Sequence, residues 1–193
     1  MTRYPQTPAQ TVGPFFHDGL LRLAVDDLDP QQVAGRPIQV HGRVLDGDGA
    51  PIDDAMLEVW QPDGDGRYQH PLDPRRPEVP DGFLGFGRIP TADDGTYRFD
   101  TASPGPVPGP AGTTQAPHLN LLVFARGLLD LLSTRLYFPD LASANAEDPV
   151  LSAVPESRRP TLIATAEAER DGRAVFRFDV VLRGPGETVF FEL

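Results

Sequence analysis

Proline and glycine recur along the whole chain, and this punctuation constrains the fold more than any other feature of the sequence. The 22 prolines and 19 glycines among 193 residues are about twice their usual share together. They stand between short apolar runs, as turn residues stand between strands. The runs alternate. Ile38, Val40 and Val44 interleave with polar residues in Ile38 to Leu45, and Met56 to Trp60 follows. Further strands are expected at 85–89, 96–100, 118–126, 134–138, 161–166, 174–182 and 187–191. Asp93-Asp94-Gly95 and Asp171-Gly172 read as hairpin turns. Asp148 caps an expected helix over Pro149 to Val154, with a turn at Glu156 to Arg159. A second short helix is expected at Asp29 to Ala34, with Asp29 as N-cap and Gly35 as stop. Met1 to Leu21 reads as irregular yet apolar, so this arm is expected to pack on its own chain or a neighbour. The expectation is one all-β domain over 1–193: an arm and short helix over 1–35, then a β-sandwich over 36–193 with short helices in its loops.

Charge and composition exclude several functions. A net charge of -11 argues against nucleic acid and anionic lipid, and an anionic substrate would need a local cation. The absence of cysteine removes disulfides, thiolate metal sites and thiol nucleophiles. No stretch approaches the roughly 18 apolar residues of a membrane span, and no signal-peptide pattern is seen, so the cytoplasm is the expected compartment. Asp46-Gly47-Asp48-Gly49 and Asp63-Gly64-Asp65-Gly66 lack the distant glutamate of a calcium loop and read as turns. The proline-rich stretch 104–110 reads as a stiff loop. His17 and His41 each stand alone and read as structural. The segment Pro117 to Arg126 carries more information. Side chains alternate along a strand, so His118, Asn120, Leu122, Phe124 and Arg126 share one face. Two histidines at the first two of these positions would aim at one metal ion. Asn120 breaks that pair, because a carboxamide oxygen is a poor substitute for imidazole on a transition metal.

An ordered series of motifs resembles the intradiol ring-cleavage dioxygenases. It runs from Thr11-Val12-Gly13-Pro14-Phe15-Phe16 through Leu57 to Pro62, Gly66-Arg67-Tyr68, Gly85 to Arg88 and Gly95 to Phe99. It continues through Pro104-Gly105-Pro106, Ala116-Pro117-His118 and Thr134 to Phe138, and ends with Gly186 to Phe191. The resemblance implies a β-sandwich and a family site of ferric iron held by two Tyr and two His. Tyr68 matches the first Tyr and His118 the first His. The second Tyr position is Val107 and the second His position is Asn120. Gln115 stands where catalytic members carry an arginine. The resemblance therefore implies a vestigial site of Tyr68, Val107, His118 and Asn120, without metal.

This pattern of loss, with the run Phe124 to Gly127 and the ending Glu187 to Phe191, resembles the non-iron chain of two-chain family members. That implies a homologous beta partner holding Fe(III), protocatechuate and dioxygen as substrates, and a higher-order alpha-beta oligomer. It also implies that Thr11, Gly13 and Pro14 line the substrate pocket and that Arg126 faces the substrate carboxylate. Arg126 lies about 20 Å along its strand from Asn120, too far to serve the same site. The plain alternatives are a surface salt bridge at Arg126 and, for the whole chain, a structural or binding sandwich without a catalytic partner.

Overall fold

A computed structural model describes residues 8–13, 15–26, 28 and 33–192. Two sheets face each other across one core. In the first, β1 (Pro37–Leu45) is central. It pairs antiparallel with β4 (Thr96–Ala102) on one side. On the other it runs parallel to β10 (Arg173–Arg177) and then β11 (Val180–Val181). The outer strand β9 (Thr165–Arg170) pairs antiparallel with β10. The second sheet has the order β3 (Phe86–Pro90), β2 (Met56–Trp60), β7 (His118–Phe124), β8 (Leu132–Tyr137), all antiparallel. A small ribbon, β5 (Val107–Pro108) with β6 (Thr114–Gln115), stands beside it.

The alternation seen in the sequence becomes the core. Ile38, Val40, Val44, Tyr97, Phe99 and Phe176 of the first sheet meet Leu57, Val59, Leu119, Leu121, Val123 and Leu136 of the second. Each fully buried aliphatic side chain contributes about 1.5–3 kcal/mol, so the burial of alternate positions fixes strand register. Gly42 is required by close packing: a Cβ there would lie 1.8 Å from the Phe178 carbonyl oxygen.

Several expectations need correction. Phe15–Leu21, expected to be irregular, is helix α1. Phe16 Nα–H donates to the Gly13 carbonyl at 3.0 Å, and the Phe16 ring rests 5.5 Å from that of Phe124. This apolar anchor outweighs the poor helix propensity of the segment. The helix expected at Asp29 to Ala34 falls on residues 29–32, which lie outside the described residues. The expected strand 161–166 starts inside a 3₁₀ helix, Glu156–Leu162, where Thr161 Oγ1 donates to the Arg158 carbonyl at 2.9 Å, and becomes strand only at Thr165. The expected strand 174–182 is two strands. The Tyr97 hydroxyl donates to the Phe178 carbonyl, and an Asp179 carboxylate oxygen accepts the Arg43 N–H at 3.0 Å, so side chains take these two ladder groups while the Phe178 N–H still reaches the His41 carbonyl at 2.8 Å. Residues 187–191 form only one bridge, Ser133 to Phe191. The turn at Asp93 to Gly95 exists, but it carries the chain from one sheet to the other.

The Asp171-Gly172 hairpin does join β9 to β10. Both Asp-Gly-Asp-Gly runs are turns of one design. Asp46 Oδ1 accepts from the N–H of Asp48 and Ala50, and Asp63 Oδ1 from those of Asp65 and Arg67. Helix α3 (Pro149–Ala153) starts on the expected cap, Asp148. A further short helix, α2 (Ala142–Glu147), precedes it.

Sheet edges are occupied backbone to backbone. Val25 bridges to Arg88 on β3, Asp26 and Leu28 bond to Asp100 on β4, and Ile163 bridges to Tyr137 on β8. Thr188 closes β11 through Val181. The outer strand β9 is instead largely exposed and carries Glu167, Glu169 and Arg170.

Candidate functional site

The outward face of β7 carries two sites, one at each end. At the first end stand the expected vestigial residues. His118 is 2 % exposed, and its Nδ1–H donates to the Ala116 carbonyl at 2.7 Å. Burial first, and the Arg135 charge second, depress its pKa to about 4, so the ring is neutral at pH 7. Tyr68 stacks on Trp60 at 5.6 Å. Burial raises the pKa of its phenol, opposed by the Arg135 charge and by hydrogen bonding to Asn120. Asn120 also donates to the Trp60 carbonyl at 3.4 Å. Val107 is buried in β5 and pairs directly with Gln115 in β6, so two of the replaced positions face each other.

The residue that sequence reasoning missed is Arg135. It lies on β8 opposite Asn120. Its Nη1 donates to Gln115 Oε1 at 2.7 Å and to the Tyr137 hydroxyl at 3.4 Å. The Tyr137 hydroxyl donates in turn to Asp148 Oδ1 at 3.1 Å. Asp148, fully buried, also accepts the N–H groups of Ala116, Val150 and Leu151. One acid thus caps α3, orients Tyr137 and holds the loop before His118.

These residues do not fit a ferric ion. Tyr68 and His118 offer two donor atoms, Val107 offers none, and Asn120 offers a weak one. A permanently charged guanidinium acts on both remaining donors. Among the described residues no cluster of three or more His, Asp or Glu could hold a metal. What the site does offer is an open pocket of about 530 Å³, walled by Trp60, Tyr68, His70, Val107, Pro108 and Gln115.

At the other end of the β7 face, the chain leaves the strand and Arg126 is 56 % exposed. Its Nε donates to Asp54, and Asp53 lies 3.9 Å from Nη2. The salt bridge that the sequence left open is therefore present. Thr11 Oγ1 accepts the Gly127 N–H at 2.7 Å, which brings the arm to Arg126 within one chain. Gly13 faces open space, for a Cβ there would meet nothing within 4 Å. Pro14 and the His17 side chain lie outside the described residues. His41 is a structural partner of Glu167 at 3.0 Å, as expected of a lone histidine.

A two-sheet sandwich bearing this array matches known proteins. A family model described as Dioxygenase spans residues 13–184. The chain belongs to the intradiol dioxygenase family. It is 42 % identical over 204 residues to the protocatechuate 3,4-dioxygenase alpha chain of Burkholderia cepacia, covering 100 % of both chains. It is 36 % identical to the beta chain from the same organism, covering 95 % of this chain and 78 % of that one. Among solved structures, hydroxyquinol 1,2-dioxygenase of Pseudomonas putida DLL-E4 superposes with a TM-score of 0.60 at 25 % identity, over 93 % of this chain and 68 % of that one.

Proposed function

We propose that this chain is the non-iron-binding alpha subunit of an intradiol dioxygenase. Its partner is a homologous beta chain that holds Fe(III) and cleaves protocatechuate with dioxygen to 3-carboxy-cis,cis-muconate, in an alpha-beta oligomer in the cytoplasm. The single observation that carries this reading is the occupied donor set: Val107 and Asn120 stand at two ligand positions while Arg135 places a fixed positive charge beside Tyr68 and His118. No described helix is long and apolar enough to cross a membrane.

The chain's own contribution is shape and charge at the far corner. Thr11 ties the arm to Gly127, Gly13 leaves room for another molecule to approach, and Arg126 presents a guanidinium at the surface. Arg126 already engages Asp53 and Asp54, and a substrate carboxylate would have to replace them. The exchange is easiest at the exposed Asp53, since exposed ion pairs are worth only about 0.2–1 kcal/mol. In this reading Arg126 binds the carboxylate, and Thr11, Gly13 and Pro14 shape the pocket wall.

Co-expression with a homologous beta chain tests the reading. The expected result is a stable complex with iron in proportion to beta chains and with ring-cleavage activity that neither chain shows alone. A chain that never associates with such a partner would favour the alternative, a binding sandwich without catalysis. Stoichiometric ferric iron in the isolated chain would overturn the account of Val107, Asn120 and Arg135.

A further inference from the structure

The salt bridge at Arg126 is built from two unequal acids on a fixed frame. The register of β2 on β7 sets Met56 opposite Phe124. Carried two residues further, it sets Asp54 opposite Arg126. Both residues lie on turns that are held at their ends. Asp53 and Asp54 form one turn. Before it, the Ile52 N–H donates to the Val44 carbonyl at 2.9 Å. After it, the Ala55 N–H donates to Thr91 Oγ1 at 3.0 Å, and the Ala55 carbonyl accepts the Thr91 N–H at 2.9 Å. Arg126 and Gly127 form the other turn, closed by the Leu128 N–H on the Ala125 carbonyl at 3.4 Å. Gly127 has φ 89°, which its position in such a turn reserves for glycine. Thr11 Oγ1 holds the Gly127 N–H. The Arg126 backbone is thus set in place, and the long side chain is what remains to be ordered.

The two acids differ in how they meet that side chain. Asp54 is 17 % exposed and accepts the Arg126 Nε–H. Asp53 is 62 % exposed and lies 3.9 Å from Nη2, an ion-pair neighbour without a hydrogen bond. A guanidinium carries N–H donors along two edges of a rigid fork. Asp54 takes Nε on one edge, and among the described residues no acceptor bonds Nη1. The Nη1–Nη2 edge is left open, and two parallel hydrogen bonds from such an edge match a carboxylate.

We infer that Asp54 is the positioning residue of the Arg126 site: it holds Nε so that the Nη1–Nη2 edge is presented to a substrate carboxylate, while Asp53 is only a weak competitor for the guanidinium. The inference rests on the carboxylate-binding role proposed for Arg126. Of the two acids, only Asp53 then has to yield, because the substrate takes the edge that Asp54 does not use. Holding the side chain in advance lowers the ordering cost of binding.

Steady-state kinetics of the assembled alpha–beta enzyme with protocatechuate and with catechol test the inference. Asp54→Ala is expected to raise KM for protocatechuate about fivefold, the scale of ordering one long side chain, with kcat and the KM for catechol unchanged. Asp54→Asn keeps an acceptor oxygen for Nε and should restore most of the loss. Asp53→Asn should lower KM for protocatechuate by about twofold, as removal of an exposed competing charge allows. In an Arg126→Ala background, Asp54→Ala should change nothing further, whereas a merely structural role would add its own loss. Should D54A fail to assemble, Asp54→Ser, too short to reach Nε, carries the same expectation. An unchanged KM in D54A, with a raised one in R126A, would remove the positioning role and leave that of Arg126 standing. An unchanged KM in R126A would remove the carboxylate-binding role itself, and the inference with it. Equal rises in D53N and D54A would overturn the division between the two acids.

Discussion

One strand face carries two sites that have been treated in opposite ways. At the His118 end the side chains are buried or half-buried, linked in series from Gln115 through Arg135 and Tyr137 to Asp148, and flanked by aromatic rings. At the Arg126 end the guanidinium is exposed and, among the described residues, pairs with exposed Asp53 and half-buried Asp54. The contrast teaches that, if the first end is the vestigial metal site proposed above, it is not an empty one. The positions of Tyr68, Val107, His118 and Asn120 stand beside a cation and a hydrogen-bond network of their own. The other end keeps Arg126 exposed, which suits the substrate contact proposed for it.

The sharpest way to break this comparison is to rebuild the first site. Val107→Tyr with Asn120→His restores the missing donors but leaves Arg135, and is expected to take up little ferric iron. Adding Arg135→Gln should bring the content close to one iron per chain, with a phenolate charge-transfer band. Equal iron in the double and triple variants would show that Arg135 does not exclude the metal.

Next in size is Asp148→Ala. It removes an acceptor from three backbone N–H groups and from Tyr137, all but that of Val150 buried, and should cost about 3 kcal/mol or more in urea unfolding. A loss under about 1 kcal/mol would mean that the network merely decorates the pocket.

His118 gives a pH signature. Its folded pKa, about 4, is below the ordinary 6.5, so between these values the unfolded chain binds a proton that the folded chain refuses. Stability is then fully retained above pH 6.5 and falls as pH drops towards 4, by up to about 1.4 kcal/mol per unit. His118→Gln lacks this slope. Parallel stability–pH curves for the two proteins would contradict the burial account.

The smallest effect belongs to the exposed end. Arg126→Ala should leave stability within about 0.5 kcal/mol. In the assembled enzyme it should raise KM for protocatechuate about tenfold, a loss on the scale of one charge-assisted bond, with little change for catechol. Equal changes for both substrates would remove the carboxylate-binding role.

Much of the fold was legible because alternation and turn chemistry act locally. Ile38, Val40 and Val44 declared one buried face, and Asp148 before a proline declared a cap. Helix α1 was not legible, since its stability comes from Phe16 resting on Phe124, a contact remote in sequence. The break between β10 and β11 likewise depends on Tyr97 and Arg43 reaching across from other strands. At the site, the departures from the resemblance at Val107, Gln115 and Asn120 could be read position by position. Arg135 could not, because only the register of β8 on β7 sets it opposite Asn120. The usable signal was an arginine inside the apolar strand 134–138, where a charged side chain needs a reason to be half buried.

The closed sheet edges have a consequence for assembly. A chain with so many strands offers rows of unpaired peptide groups wherever a sheet ends, and those rows invite copies to add side by side without limit. Here Val25, Asp26, Leu28, Ile163 and Thr188 occupy the margins of β3, β4, β8 and β11, and the charges of β9 repel a flat neighbour. Edge-to-edge growth is therefore opposed at these margins, and a partner of this chain is expected to meet its side-chain surfaces rather than an open strand edge.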